Sequence, residues 1–82
     1  MRLDKYLKIS RIIKRRTVAK DFAENERVMV NSRVAKPSSE VKVGDIISLR
    51  VGAKETSYEI LDIVENVKAN EAKNLYRVVE NG

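Results

Sequence analysis

The side chains with chemical capacity in this sequence are its cations, and they crowd into the first part of the chain. Residues 1–36 hold eleven lysines and arginines (Arg2, Lys5, Lys8, Arg11, Lys14, Arg15, Arg16, Lys20, Arg27, Arg33 and Lys36) against four acids, Asp4, Asp21, Glu24 and Glu26. That stretch carries +7 and residues 37–82 carry −2, so the net charge of +5 hides a lopsided distribution. Solubility needs no such asymmetry. A basic half beside a mildly acidic one suits a directed contact with a polyanion. The run Lys14-Arg15-Arg16 sharpens the point, because no acid follows it until Asp21 and adjacent cations repel unless an anion sits near. Arginine forks two N–H donors onto one phosphate, which sets orientation as well as charge. The plain alternative for these residues is a solvated, lysine-rich helix face.

Other chemistries are poorly supplied. The chain has no histidine, which removes the usual general base and the commonest metal ligand. It has no cysteine, so neither disulfides nor thiolate metal sites can form. No motif supports catalysis by carboxylates or lysine, so neither an enzyme nor a cofactor is expected. No apolar run approaches the roughly 18 residues that cross a bilayer. The start, MRLDKYLKISRIIKRR, scatters charges throughout and lacks the apolar stretch of a secretory signal. Leu3, Leu7, Ile9, Ile12 and Ile13 are needed for a core, which argues against a helix lying on a membrane. A cytoplasmic protein is expected.

The elements that must position these cations follow from periodicity. With 82 residues, 43% of them hydrophobic, the chain suits one small folded domain and is too apolar for disorder. Leu3 and Leu7 at i,i+4, with Tyr6 beside them, predict a short helix over 3–9, and Asp4 in its first turn favours the helix dipole. Thr17 is a good N-cap for a second helix running to about Glu24, with Val18, Ala19, Phe22 and Ala23 on one apolar face. Asn25 is placed to end that helix in the left-handed conformation. From Arg27 the period shortens to two. RVMV and RVAK around Asn31-Ser32 predict a tight hairpin, Gly44-Asp45 a turn, and IISLRV (46–51) and SYEILDIVE (57–65) two more strands. Residues 69–75 suit a short helix and 76–79 an edge strand. The expected fold is α+β, two short N-terminal helices packed on a small antiparallel sheet, with Leu3, Leu7, Ile13, Val18, Phe22, Val28 and Val30 in the core.

Four elements in order then resemble a known family. Leu3-Asp4-x-x-Leu7, a basic stretch into Arg16-Thr17-x-Ala19, Val28-x-Val30-Asn31 and Val43-Gly44-Asp45 are similar to the S4-like RNA-binding domain, or alpha-L motif, over residues 1–51. Residues 52–82 then form a C-terminal strand extension of the same single domain. The sequence departs from the family at three places. Asn25-Glu26 stands where a glycine often precedes the hairpin, Asn31-Ser32 where Asn-Gly often forms the tip, and Arg15-Arg16 where Ser-Arg often opens the second helix.

The resemblance implies binding of folded RNA and picks out Arg2, Lys5, Arg11, Lys14, Arg15, Arg16, Lys20, Asn31 and Arg33 as the RNA-binding surface. Arg16, next to the Thr17 cap, is the foremost of these, since it would hold a phosphate near the second helix's N-terminal amides, which also favour anions. Arg2 is next, unless it is a frayed terminal charge. Lys20 is also spaced to pair with Glu24, and Asn31 equally suits the turn alone. Tyr6, Phe22, Tyr58 and Tyr76 are few for a single-strand reader, so shape and phosphates are the expected targets.

Among stand-alone members, the N-terminal sixteen or so residues look most like a small bacterial factor of ribosome-associated quality control. They are less similar to an S4-type heat-shock protein of the large subunit. This implies contact with 23S rRNA and peptidyl-tRNA on stalled large subunits, and assistance to an RqcH-like protein in alanine tailing. The chain is expected to act as a ribosome-associated monomer without a membrane partner. A general rRNA-binding or assembly factor, and a protein-docking adaptor using the acidic half, are the alternatives.

Overall fold

In the computed structural model, which describes residues 1–65 and 68–79, two helices lead into a five-stranded antiparallel sheet. The elements are α1 (Leu3–Ile9), α2 (Arg16–Glu24), β1 (Val28–Val30), β2 (Arg33–Val34), β3 (Ile46–Val51), β4 (Lys54–Ile60) and β5 (Tyr76–Val79), with a 3-10 helix (Ala69–Leu75) before β5. The strand order is β2-β1-β3-β4-β5. Parts of the expected extension, residues 66, 67 and 80–82, lie outside the described residues.

The α1 helix forms because Leu3, Tyr6 and Leu7 fall on one side and are fully buried. Its first amides are satisfied by a neighbouring loop, Leu3 N–H donating to the Ser39 carbonyl (2.8 Å) and Asp4 N–H to that of Pro37 (3.1 Å). The chain before it is pinned as well. Arg2 bridges Glu40 through the backbone, and the Met1 ammonium pairs with the Glu40 carboxylate at 2.8 Å. Arg2 is therefore not a frayed end.

The second helix meets the first through Ala19 and Ala23, both buried, whose small side chains let the axes approach. At three points α2 departs from what its residues lead one to expect. Thr17 does not cap α2; Arg15 occupies the cap position, no side chain caps it, and Thr17 lies exposed in the first turn. A cap is worth about 1 kcal/mol, and the tertiary anchoring of Arg16 and Ala19 sets the helix phase against it. Val18 is 39% exposed rather than in the core. It lies on the flank of the Ala19–Ala23 stripe, where the longer Phe22 reaches the core edge and a valine does not. Asn25 does not take the left-handed conformation. Glu26 does (φ +61°), and its N–H donates to the Ala23 carbonyl while Arg27 N–H donates to that of Phe22. That pair of bonds is the Schellman termination, with the left-handed residue at the position after the cap.

In the sheet, Asn31 (φ +52°) and Ser32 (φ +69°) form the two-residue tip between Val30 and Arg33, the left-handed pair that a type I′ turn requires. The strand β2 is only two residues long, shorter than the expected RVAK. Strand β4 starts at Lys54, directly after the Gly52-Ala53 turn, and stops at Ile60 rather than running over 57–65. It stops because Leu61 and Asp62 turn their amides to the Leu75 carbonyl (2.8 and 3.2 Å). The same carbonyl accepts the Tyr6 hydroxyl at 2.8 Å, which ties α1 to the end of the sheet. Burial pushes the Tyr6 phenol far above the usual tyrosine range, with Tyr76 and Asp62 adding to the shift.

The helices cover the sheet face that carries Val28, Ile47, Leu49 and Ile60, and Ile12, Ile13, Phe22, Val30 and Tyr58 close its margin. Each large apolar side chain removed from water contributes about 1.5–3 kcal/mol, so this single cluster carries most of the stability of so small a domain.

Candidate nucleic-acid interface

The α1 helix ends in an unusual way, and that ending builds the site. Ser10, the cap residue, is buried, and Arg11 next to it adopts φ +61°, its N–H donating to the Lys8 carbonyl at 3.1 Å. Residues 10–15 then wrap back to the start of α2, Ile13 N–H bonding the Leu7 carbonyl at 3.1 Å. The reversal leaves a cleft of about 410 Å³ lined by Lys5, Lys8, Ile9, Arg11, Lys14, Arg16 and Glu65. Five cations and one carboxylate give it a net charge of +4 before any ligand enters. No ion pair links Lys8, Arg11 or Lys14 to a described carboxylate.

Asp4 organises the arginines at its edge. Its side chain is 3% exposed, and its Oδ1 accepts from Lys5 N–H (2.8 Å), Arg2 Nε (3.2 Å) and Arg16 Nη2 (3.5 Å) while Oδ2 accepts from Arg2 Nη2 (3.3 Å). The two guanidinium side chains remain 49% exposed. Asp4 thus spends one face of each fork on orientation, and the donors left over, Arg2 Nη1 and Arg16 Nε and Nη1, keep the geometry that suits a phosphate. Half-exposed pairs of this kind are screened and add about 1 kcal/mol or less each. Their larger effect is to hold two long side chains in place. Arg16 is the first residue of α2, whose first turn no side chain caps.

Lys5 donates from Nζ to Glu65 Oε2, and this hydrogen bond and charge hold the Glu65 carboxyl below the usual range. Glu65 arrives from the segment after β4, sixty residues along the chain from Lys5.

Of the nine residues singled out from sequence, Lys5, Arg11, Lys14 and Arg16 line one cleft, and Arg2 shares Asp4 with Arg16. The others are placed elsewhere. Arg15 occupies the N-cap position of α2 without capping it and is exposed; Lys20 is paired with Glu24 at 3.8 Å; Arg33 is exposed on the short β2 edge. Asn31 clamps the hairpin tip to the following turn, its Nδ2 donating to Asp45 Oδ1 (3.1 Å) and its Oδ1 accepting from Ile46 N–H (3.0 Å). Three participants escaped the sequence reading. Lys8 carried a signal, since it stands at i+3 from Lys5 and i−3 from Arg11. Asp4 is legible in the sequence as a helix-dipole partner and as part of the family-like Leu3-Asp4-x-x-Leu7 pattern but not as a partner of the arginines, and Glu65 has no local signal at all.

Among the described residues, no helix is long and apolar enough to cross a membrane, and no group of three or more acidic, histidine or cysteine side chains is placed to hold a metal.

Comparison with known proteins identifies the family of this fold. The family model described as the S4 domain matches residues 1–47, which include α1, the cleft loop and α2. A protein of Listeria monocytogenes called RQC P-site tRNA stabilizing factor is 49% identical over 80 residues, covering 98% of this chain and 87% of that one. Its namesake in Bacillus subtilis is 44% identical over 80 residues, covering 98% and 93%. Among solved structures, Heat Shock Protein 15 of Vibrio cholerae superposes with a TM-score of 0.86 at 39% identity, covering 96% of this chain and 81% of the other.

Proposed function

This chain belongs to the S4 domain family and to the RQC P-site tRNA stabilizing factors within it, and on that premise we propose that it is a non-catalytic RNA-binding factor of ribosome-associated quality control. It binds tRNA and 23S rRNA on large ribosomal subunits that still carry peptidyl-tRNA after a stall, and it steadies the tRNA while an RqcH-like partner adds alanine to the nascent chain. It does so in the cytoplasm, as a monomer. The observation that carries this reading is the preformed cleft in which Lys5, Lys8, Arg11, Lys14 and Arg16 meet beside a buried aspartate that aims the last of them.

The cleft needs no induced rearrangement to accept a phosphate, because α1, its left-handed end and α2 already hold the cations together. Arg2, which shares Asp4 with Arg16, extends the positive surface beyond it. About four to seven phosphate contacts in all would lower log affinity by roughly 3–6 per decade of salt.

The test is co-sedimentation. The protein is expected to travel with large subunits carrying peptidyl-tRNA, and Arg16→Ala to loosen it. Protein left at the top of the gradient in the presence of stalled complexes would sink the rescue role. Equal retention on free rRNA fragments would assign it the broader work of a structured-RNA or assembly factor.

A further inference from the structure

A carboxylate in a phosphate-binding cleft is a cost that asks for a reason. Glu65 is the one acidic residue among the described residues lining the cleft, and it repels any phosphate that enters. Among the described residues, no packing contact demands it there. Its side chain is 73% exposed, it stands beyond the end of β4, and its described partner is Lys5 alone. That pair engages Oε2, which leaves Oε1 with its accepting capacity unspent. Lys5 has three donors, so it can hold Glu65 and still face a phosphate.

An ionised carboxylate only accepts hydrogen bonds. On the sugar–phosphate chain of RNA the one group able to donate to it is the ribose 2′-hydroxyl, which DNA lacks. We propose that Glu65 is a specificity-determining residue of the cleft, accepting a hydrogen bond from a ribose 2′-hydroxyl next to the phosphate held by Arg11 and Arg16. Its repulsion falls on every polyanion, and only a backbone with a hydroxyl beside the phosphate returns a compensating bond. Discrimination of this type needs the repulsive element as much as the attractive one. The inference rests on the RNA-binding reading above and adds to it how the site separates ribose from other backbones.

The test compares a short synthetic RNA stem-loop with the same sequence made entirely with 2′-fluoro sugars, which keep the A-form helix and the phosphates but cannot donate. Binding is followed by fluorescence anisotropy. The wild-type protein is expected to prefer the ribo form by about three- to tenfold, the net worth of one ordinary hydrogen bond on an accessible surface. In Glu65→Ala both forms bind at least as tightly as before and the preference collapses towards one. Glu65→Gln, which keeps an accepting oxygen, retains part of the preference. Equal binding of the two forms by the wild type, or an unchanged preference in Glu65→Ala, overturns the inference while leaving RNA binding intact. If the wild type binds neither form in a salt-dependent way, the RNA-binding reading fails and the inference falls with it.

Discussion

Replacing Arg11 by glycine is expected to make the protein more stable and a poorer RNA binder at the same time. Arg11 ends α1 at φ +61°, a region that costs a residue with a side chain about 1–2 kcal/mol. Glycine removes that strain but gives back about 0.5–1 kcal/mol through the greater freedom of the unfolded chain. The balance is a gain of about 0.5–1 kcal/mol, which for a domain of this length raises Tm by about 2–8 °C. The same change takes one cation from the cleft. With one phosphate contact fewer, the slope of log affinity against log salt becomes shallower by about 0.7–0.9.

Glu26 supplies the control. It has the same left-handed backbone at the end of α2 and does not line the cleft, so Glu26→Gly should raise Tm comparably and leave the salt slope alone. Thermal melts by circular dichroism and anisotropy titrations of a labelled tRNA stem-loop across a salt series measure both halves. If Arg11→Gly lowers Tm while Glu26→Gly raises it, the side chain of Arg11 is structural. If Arg11→Gly leaves affinity and slope unchanged, the strain is not kept for binding, and the assignment of the cleft is wrong.

Two further outcomes follow from the residues around the cleft. Asp4→Asn keeps an acceptor for the Lys5 amide but loses the charge that aims Arg2 and Arg16. It should cost about 1 kcal/mol in a urea titration, and it should weaken RNA binding less than Arg16→Ala does, since the guanidinium groups remain. The Tyr6 phenol, raised by burial, holds its proton in the folded state at pH values where the unfolded chain has lost it. Its contribution is therefore constant below the ordinary tyrosine pKa of about 10 and is lost as pH climbs above it. Tyr6→Phe should lose about 0.5–1.5 kcal/mol at neutral pH, where the Leu75 carbonyl forfeits a donor, and should show a shallower alkaline decline than the wild type in pH-dependent melts.

The sequence by itself determined the class of ligand and the order of the elements. Charge is additive along a chain, so the +7 of residues 1–36 needed no coordinates to point at a polyanion. Hydrophobic period is also local, which is why α1, α2, the hairpin around Asn31-Ser32 and β3 stand close to where the residues put them. Helix ends were less legible. Thr17 had the better capping side chain and Asn25 the better left-handed propensity, yet Arg15 and Glu26 took those places, because burial of Ala19 and Ala23 against α1 sets the phase of α2. Such packing outweighs a propensity worth about 1 kcal/mol.

Only the tertiary structure decided which cations share a cleft. Arg15 and Arg33 looked equivalent to Lys5 and Lys14 in one dimension, but the left-handed turn at Arg11 gathers the second pair and leaves out the first. Partners distant in sequence completed the site. Asp4 reaches Arg16 across the helix pair, and Glu65 comes back to Lys5 from beyond β4. Coulomb interaction depends on distance in space, and folding alone converts a separation of sixty residues into a hydrogen bond.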